Sequence, residues 1–305
     1  MEKTTVIYHR ADFDGLFCRE IARKFLPDAE LIGWDYGDPL LEFPRSGTVY
    51  VLDLSLDSFD HGAGFHSGYD RLIWIDHHKT AIEKYPNSIP GCRIDGVSAC
   101  RLAWQYFTLF HPTAGSFSLP KKKDYVERRV SEPLAVRLAG EYDIWDKRDP
   151  NAELFQHGLR SMALDDWHWE KLLDMSIPKE LQGTGMEQTE SELVCSGLLE
   201  NGQVIQYAKT QENKSIIESF GFTIQFEGFC LLACNAARYN SQLFTAGLKP
   251  EHDGMLGFNW DGKQWRVSLY SDKPNIDLSE VAKKYGGGGH RGACGFRTEK
   301  LPFML

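Results

Sequence analysis

Leu72-Ile73-Trp74-Ile75-Asp76-His77-His78 is an apolar run that ends in one acid and two imidazoles. A short apolar run bounded by polar residues reads as a strand, with the polar residues just beyond its carboxyl end. The pattern recurs upstream. Val6 to Tyr8 leads into His9-Arg10-Ala11-Asp12-Phe13-Asp14-Gly15, and Val49 to Leu52 leads into Asp53. Another acid lies further on, at Asp143. Strand and helix signals alternate up to about Asp76. In open α/β sheets the carboxyl ends of the strands form the ligand crevice, so these distant loops are expected to converge there. The predicted class is α/β: an N-terminal, mostly parallel-sheet domain over 1–185, a helical linker over 186–219, and a smaller α/β substrate-binding domain over 220–305.

Ligand counting needs no coordinates. In an extended segment, consecutive side chains point to opposite faces. Asp12 and Asp14 are then expected to project together, and His77 and His78 apart, one ligating and the other facing substrate. His9, Asp12, Asp14, Asp53, His77 and Asp143 are too many donors for one catalytic ion. They suit two ions that share a bridging carboxylate. A single strand-end Asp or His is more often a solvated turn residue or a satisfied core histidine, but several such stations together point to metal chemistry. Hard carboxylates with imidazole suit two Mn2+ ions, with Mg2+, Co2+ or Fe2+ as alternatives, and cysteine takes no part.

These segments resemble a known family. His9 to Gly15, Val51-Leu52-Asp53, Trp74 to His78 and Glu141-Tyr142-Asp143 are similar to the four motifs of the DHH phosphoesterase superfamily. Tyr285-Gly286-Gly287-Gly288-Gly289-His290-Arg291-Gly292-Ala293-Cys294-Gly295 resembles the signature of its DHH-associated C-terminal domain. The branch includes RecJ-type exonucleases, nanoRNases, phosphoadenosine phosphate phosphatases and cyclic dinucleotide phosphodiesterases. The resemblance implies His9, Asp12 and Asp53 on one ion, and Asp14, Asp53, His77 and Asp143 on the other, with Asp53 as the bridge. It also implies that Asp76 orients a histidine. The expected catalytic residues are Asp76 and His78, with His78 holding a nonbridging phosphoryl oxygen. Here the first aspartate follows the histidine by three residues, where many members have four. Tyr270, in Val267-Ser268-Leu269-Tyr270-Ser271, stands where relatives commonly carry arginine, and it can stack on a base.

The glycine run has its own physical reading. Gly286, Gly287, Gly288 and Gly289 remove every side chain over that stretch, leaving N–H groups to surround an anion, while His290 and Arg291 add donors and charge. Gly292-Ala293-Cys294 is expected to open a helix whose N-terminus faces the same anion.

Composition bounds the rest. The chain has 305 residues, 42% hydrophobic and 25% charged, with a net charge of −9, enough for two cores. Such acidity argues against tracking long duplex nucleic acid, because neutralising phosphates takes many Lys and Arg. Short oligoribonucleotides or linear dinucleotides fit better as substrates, and a homodimer is a possible assembly. Seven cysteines without a Cys-x-x-Cys pair suggest reduced thiols and a cytoplasmic setting. No apolar run reaches the length of a membrane span, and the first motif begins by His9, so neither a signal peptide nor a membrane partner is expected.

Helices are expected over 14–26, 98–110, 121–139 and 277–284, and one or two more over 189–219. Strands are expected over 31–34, 222–226, 229–235, 255–260 and 264–270. His61 and His66 read as surface residues. Asn235, Arg238 and Asn240 read as sugar or phosphate contacts or as helix caps, and Trp145, Trp167 and Trp169 as base-stacking or packing residues. The expected activity is metal-dependent hydrolysis of short oligoribonucleotides or linear dinucleotides to mononucleotides. Competing readings are a cyclic dinucleotide phosphodiesterase, a phosphoadenosine phosphate phosphatase and a nucleotide-sensing module without catalysis.

Overall fold

The computed structural model of the chain describes residues 3–42, 46–59, 72–110 and 118–303. It divides into two compact units, one up to Val204 and one from Ile205 onward.

In the first unit β1 (Thr4–His9), α1 (Phe13–Phe25), β2 (Glu30–Trp34), β3 (Thr48–Leu52), β4 (Leu72–Asp76), α2 (Lys79–Lys84) and β5 (Gly91–Arg93) follow one another. The strands form one sheet in the order β2-β1-β3-β4-β5, with every pairing parallel. Parallel strands covered on both faces must be apolar on both, which is why β1 carries no charged residue before its closing histidine. Val6 and Tyr8 pack with Phe17, Ile21 and Leu52 on one side, and Ile7 packs with Val49, Val51 and Trp74 on the other. The order reverses between β1 and β3, and open α/β sheets bind ligands outside the carboxyl ends at such a reversal. Both strands end in residues singled out from the sequence.

Helices α3 (Ala99–Phe110), α4 (Lys122–Val126), α5 (Leu134–Asp143), α6 (Asn151–Arg160), α7 (Asp166–Leu172) and α8 (Glu190–Phe220) follow. The single helix expected over 121–139 is in fact α4 and α5. Arg128 takes a left-handed φ of 54°, which ends the first, and Pro133 caps the start of the second.

The second unit contains β6 (Phe222–Phe226), β7 (Phe229–Asn235), β8 (Gly254–Trp260), β9 (Trp265–Tyr270), α9 (Ser279–Lys284), β10 (Gly288–His290) and β11 (Ala293–Thr298). Its six-stranded sheet runs β10-β11-β9-β8-β7-β6 and is antiparallel except for the β7–β8 pair. Period-2 alternation builds two cores: Leu231 and Ala233 join Leu256, Phe258 and Leu278 on one face, and Leu232 and Cys234 join Ile217, Phe244 and Met255 on the other. The helix expected to open at Gly292-Ala293-Cys294 is instead β11, because Cys294 and Phe296 alternate into the core and three residues of β10 pair across a tight hairpin. The chain is thus α/β, with a parallel sheet first and a mixed sheet second. Among the described residues, no helix is long and apolar enough to cross a membrane.

Candidate metal centre

Each candidate donor reaches the site from the end of an element. His9 closes β1, and Asp12 caps α1 by accepting from the Gly15 N–H at 3.0 Å. Asp14 lies in the first turn of α1. It is buried, and its two oxygens accept from the Ala99 and Cys100 N–H groups at the start of α3, both at 2.8 Å. Asp12 and Asp14 therefore do not alternate along an extended segment, because the helix has already begun. Asp53, just past β3, sits at φ 59° and donates its N–H to the Ile75 carbonyl at 2.9 Å, tying the ends of β3 and β4 together. Asp143 is the last residue of α5. Its neighbour Glu141 is fully buried and held by Arg128 and Arg137 at 2.9 Å, which fixes the turn that presents Asp143.

These ends converge. His9 Nδ1 is 3.1 Å from Asp12 Oδ2 and 3.5 Å from Asp53 Oδ2. His77 Nε2 is 3.4 Å from Asp53 Oδ1, 3.3 Å from Asp143 Oδ2 and 3.6 Å from Asp14 Oδ2. The sets His9/Asp12/Asp53 and Asp14/His77/Asp143 each offer donor atoms close enough together to hold one cation, and the two oxygens of Asp53 face different sets. His78 also offers a donor near Asp53 and His77, with the two rings 4.5 Å apart. The expectation that His77 and His78 point apart fails because both lie beyond the end of β4, where the strand alternation no longer holds. Asp76 Oδ1 accepts from both histidine N–H groups, at 2.8 and 3.3 Å, and from His78 Nδ1 at 2.7 Å, so it orients His78.

The electrostatics show what the donor set suits. His9 Nδ1, Asp53 Oδ1, Asp143 Oδ2 and Asp76 Oδ2 are buried without a hydrogen-bond partner. Burial opposes charge on the imidazoles, but the surrounding carboxylates outweigh it. Asp12 and Asp53 raise His9 to about 10, and Asp53, Asp14 and Asp143 raise His77 to about 10. Burial, with repulsion from Asp53 and Asp143, pushes Asp14 well above the carboxylate range. Burial raises Asp143 to about 6 against the pull of His77. Asp53 moves down: burial opposes its charge, but the attraction of the nearby His77 and His9 imidazoles prevails. Without cations these acids and imidazoles favour holding protons, which cation binding would displace. Clustered hard oxygens, imidazole nitrogens and orphaned buried atoms fit divalent ions.

Sequence reasoning missed Asp35 and Tyr36. Asp35 Oδ1 lies 3.4 Å from His9 Nε2, and the Tyr36 ring meets His9 edge-on at 5.6 Å. The signal was present, since Asp35 follows β2 as Asp53 follows β3.

The glycine run is only partly an open cradle. Gly286 N–H and Gly287 N–H donate to the Lys283 and Ala282 carbonyls at 3.0 and 2.9 Å, closing the end of α9, so they do not point at a ligand. Gly288 and Gly289 pair with β11. A Cβ on Gly287 would lie 2.1 Å from the Gly295 carbonyl oxygen, so close strand packing requires glycine there. His290 and Arg291 are exposed at the hairpin, with Arg291 Nε donating to the Ile276 carbonyl at 3.0 Å, and Tyr270 is half-buried on the neighbouring strand β9. Asn240 caps a short 3-10 turn through the Gln242 N–H. Trp169 packs edge-on against Phe17, whereas Trp145 and Trp167 are exposed. His61 and His66 lie outside the described residues.

No protein-family model matches the chain. Over 231 residues it is 25% identical to the uncharacterized protein R106 of Acanthamoeba polyphaga mimivirus, a match covering 73% of this chain and 47% of that protein. The chain thus spans about half the length of this relative. Similar solved structures include PggH, a pGpG-specific phosphodiesterase of Vibrio cholerae (16% identity, 97% of this chain and 93% of that one, TM-score 0.47). RecJ of Thermus thermophilus in complex with Mn2+ is another (14%, 97% and 49%, TM-score 0.44). So is an exopolyphosphatase-related protein of Bacteroides fragilis (12%, 99% and 88%, TM-score 0.40).

Proposed function

We propose that this chain is a DHH-type phosphodiesterase that uses two divalent ions, Mn2+ by preference, to hydrolyse short oligoribonucleotides or linear dinucleotides to mononucleotides. The observation that carries this reading is the position of Asp53, buried, with one oxygen toward His77 and the other toward His9. A carboxylate so placed can serve two cations at once. On this reading His9, Asp12 and Asp53 hold one ion, and Asp14, Asp53, His77 and Asp143 hold the other. When bound, the ions supply the Lewis acidity that phosphodiester hydrolysis needs at neutral pH. His78 does its own part. Asp76 accepts from its Nδ1 and raises its pKa, which favours the doubly protonated ring whose Nε2–H can donate to a nonbridging phosphoryl oxygen. The exposed His290 and Arg291 grip the terminal nucleotide, and Tyr270 lends its ring to a base.

The test is turnover, with Mn2+, of a pApA-type dinucleotide, a cyclic dinucleotide, phosphoadenosine phosphate and pyrophosphate side by side. The linear dinucleotide is expected to give the highest kcat/KM, and Asp53→Ala to abolish hydrolysis of all four. Faster turnover of another member of the panel would move the substrate assignment. Activity surviving in Asp53→Ala would remove the shared-carboxylate mechanism.

A further inference from the structure

We infer that Asp35 is a positioning residue for metal binding: it acts through His9, fixing the imidazole so that Nδ1 is presented to the ion. The inference rests on the two-ion reading above. Beyond that, it follows from where β2 ends. His9 pairs with Trp34 in the parallel β1–β2 register, and Arg10 N–H donates to the Trp34 carbonyl at 3.0 Å, so Asp35 emerges beside the end of β1. Its Oδ1 lies 3.4 Å from His9 Nε2, on the side of the ring away from Asp12 and Asp53, which face Nδ1 at 3.1 and 3.5 Å.

Asp35 is itself held. Its Oδ1 accepts from the Tyr36 N–H at 2.7 Å, and its own N–H donates to Asp38 Oδ2 at 2.9 Å. Both oxygens of Asp38 in turn take Arg10 Nη2 at 2.9 Å. A neutral imidazole carries one proton. Nδ1 can ligate only when that proton sits on Nε2, and a carboxylate accepting from Nε2 selects this tautomer and stops the ring from turning. Tyr36, edge-on to the same ring, blocks rotation from the third side.

Co2+ binding to the ion-stripped full chain, followed by calorimetry and by the d–d absorption of the metal, tests this without reference to turnover. Wild type is expected to bind two ions. Asp35→Ala should bind one with unchanged affinity and the other about 10- to 100-fold more weakly, with an altered spectrum for the weakened site. Asp35→Asn keeps an acceptor for Nε2–H and should recover most of the loss. Two ions bound by Asp35→Ala as tightly as by wild type would overturn the inference and leave the two-ion reading standing. A wild-type protein that binds fewer than two ions would remove both. A measurement on wild type alone guards against misfolding of the variant. In the Mg2+-loaded protein, long-range 1H–15N correlation should place the His9 proton on Nε2, and a proton on Nδ1 refutes the role.

Discussion

Asp53 holds a left-handed backbone, φ 59°, at the carboxyl end of a strand, a conformation that costs a non-glycine residue roughly 1 kcal/mol or more. Such strain persists where the surroundings over-determine it, and here the bond from Asp53 N–H to Ile75 does so. The same crowding sets the pH behaviour. In the ion-free protein His9 and His77 are raised from 6.5 to about 10, so their charge stabilises the fold fully below pH 6.5 and that contribution is lost as pH rises toward 10. Asp143, raised to about 6, acts in the same direction at lower pH. Ion binding must expel those protons. The overall constant for binding both ions should therefore climb by about two log units per pH unit between roughly pH 7 and 9, one for the imidazole at each ion, and any proton still held by Asp14 adds to that slope. Calorimetry in buffers of different ionisation enthalpy counts the released protons directly, and an affinity that stays flat over this range would contradict the assignment. Most of the residues that cluster in the candidate metal centre were legible as acids and histidines placed where apolar runs stop. Asp35 obeys the same rule and was passed over because it belongs to none of the four motifs that carry the family resemblance. The His77/His78 geometry was misjudged because alternation holds only while the strand lasts.

Elements set the distances between these residues, and α1 is the most constrained of them. A Cβ on Gly15 would lie 1.8 Å from the His9 carbonyl oxygen, a backbone atom that cannot turn aside. The helix can begin directly after β1, with Asp12 as its cap and Asp14 against α3, only because that position is bare. Gly15→Ala should therefore cost about 3 kcal/mol or more in urea unfolding and weaken ion binding as well. Gly197, exposed in mid-α8 with nothing within 4 Å of an added Cβ, is the control, and Gly197→Ala should stabilise by about 0.5–1 kcal/mol. Equal effects at the two glycines would mean that the close approach of α1 to β1 carries no energy. Strands β1 to β4 and β6 to β9 were readable from their apolar runs, and α1 and α3 from the prolines that follow them, whereas the three-residue strands β5 and β10 are too short to show a pattern. The start of α5 was signalled by Pro133, but the end of α4 was hidden because Arg128, not a glycine, takes the left-handed turn, stabilised by its ion pair with Glu141. The strand β11 was hidden for a related reason. A glycine-flanked start reads as a helix opening until Cys294 and Phe296 are seen to alternate.

Across the whole molecule, charge separates a digester of short fragments from an enzyme that travels along polymers. With 34 Lys and Arg against 43 Asp and Glu, the chain has no surplus of cations to lay along a phosphate backbone. On the proposed function, the acids of the candidate metal site would accept substrate phosphates only when ions neutralise them, so attraction would be local to the site. Affinity for single-stranded RNA should then stop growing after a few nucleotides. The slope of log K against log salt reports the same quantity, since each neutralised phosphate on a single strand contributes about −0.7. Three contacts or fewer give a slope no steeper than about −2, and this should be the same for a trinucleotide and for a 20-mer. Fluorescence anisotropy on an Asp53→Ala variant, which cannot consume the probe, is unsuitable if that change also ejects the ions. Wild type with a nonhydrolysable phosphorothioate RNA and Mg2+ avoids the difficulty. A slope near −5 on the longer strand would require about seven phosphates to be held at once, more than a pair of bound ions can neutralise, and would identify a polymer-tracking enzyme instead.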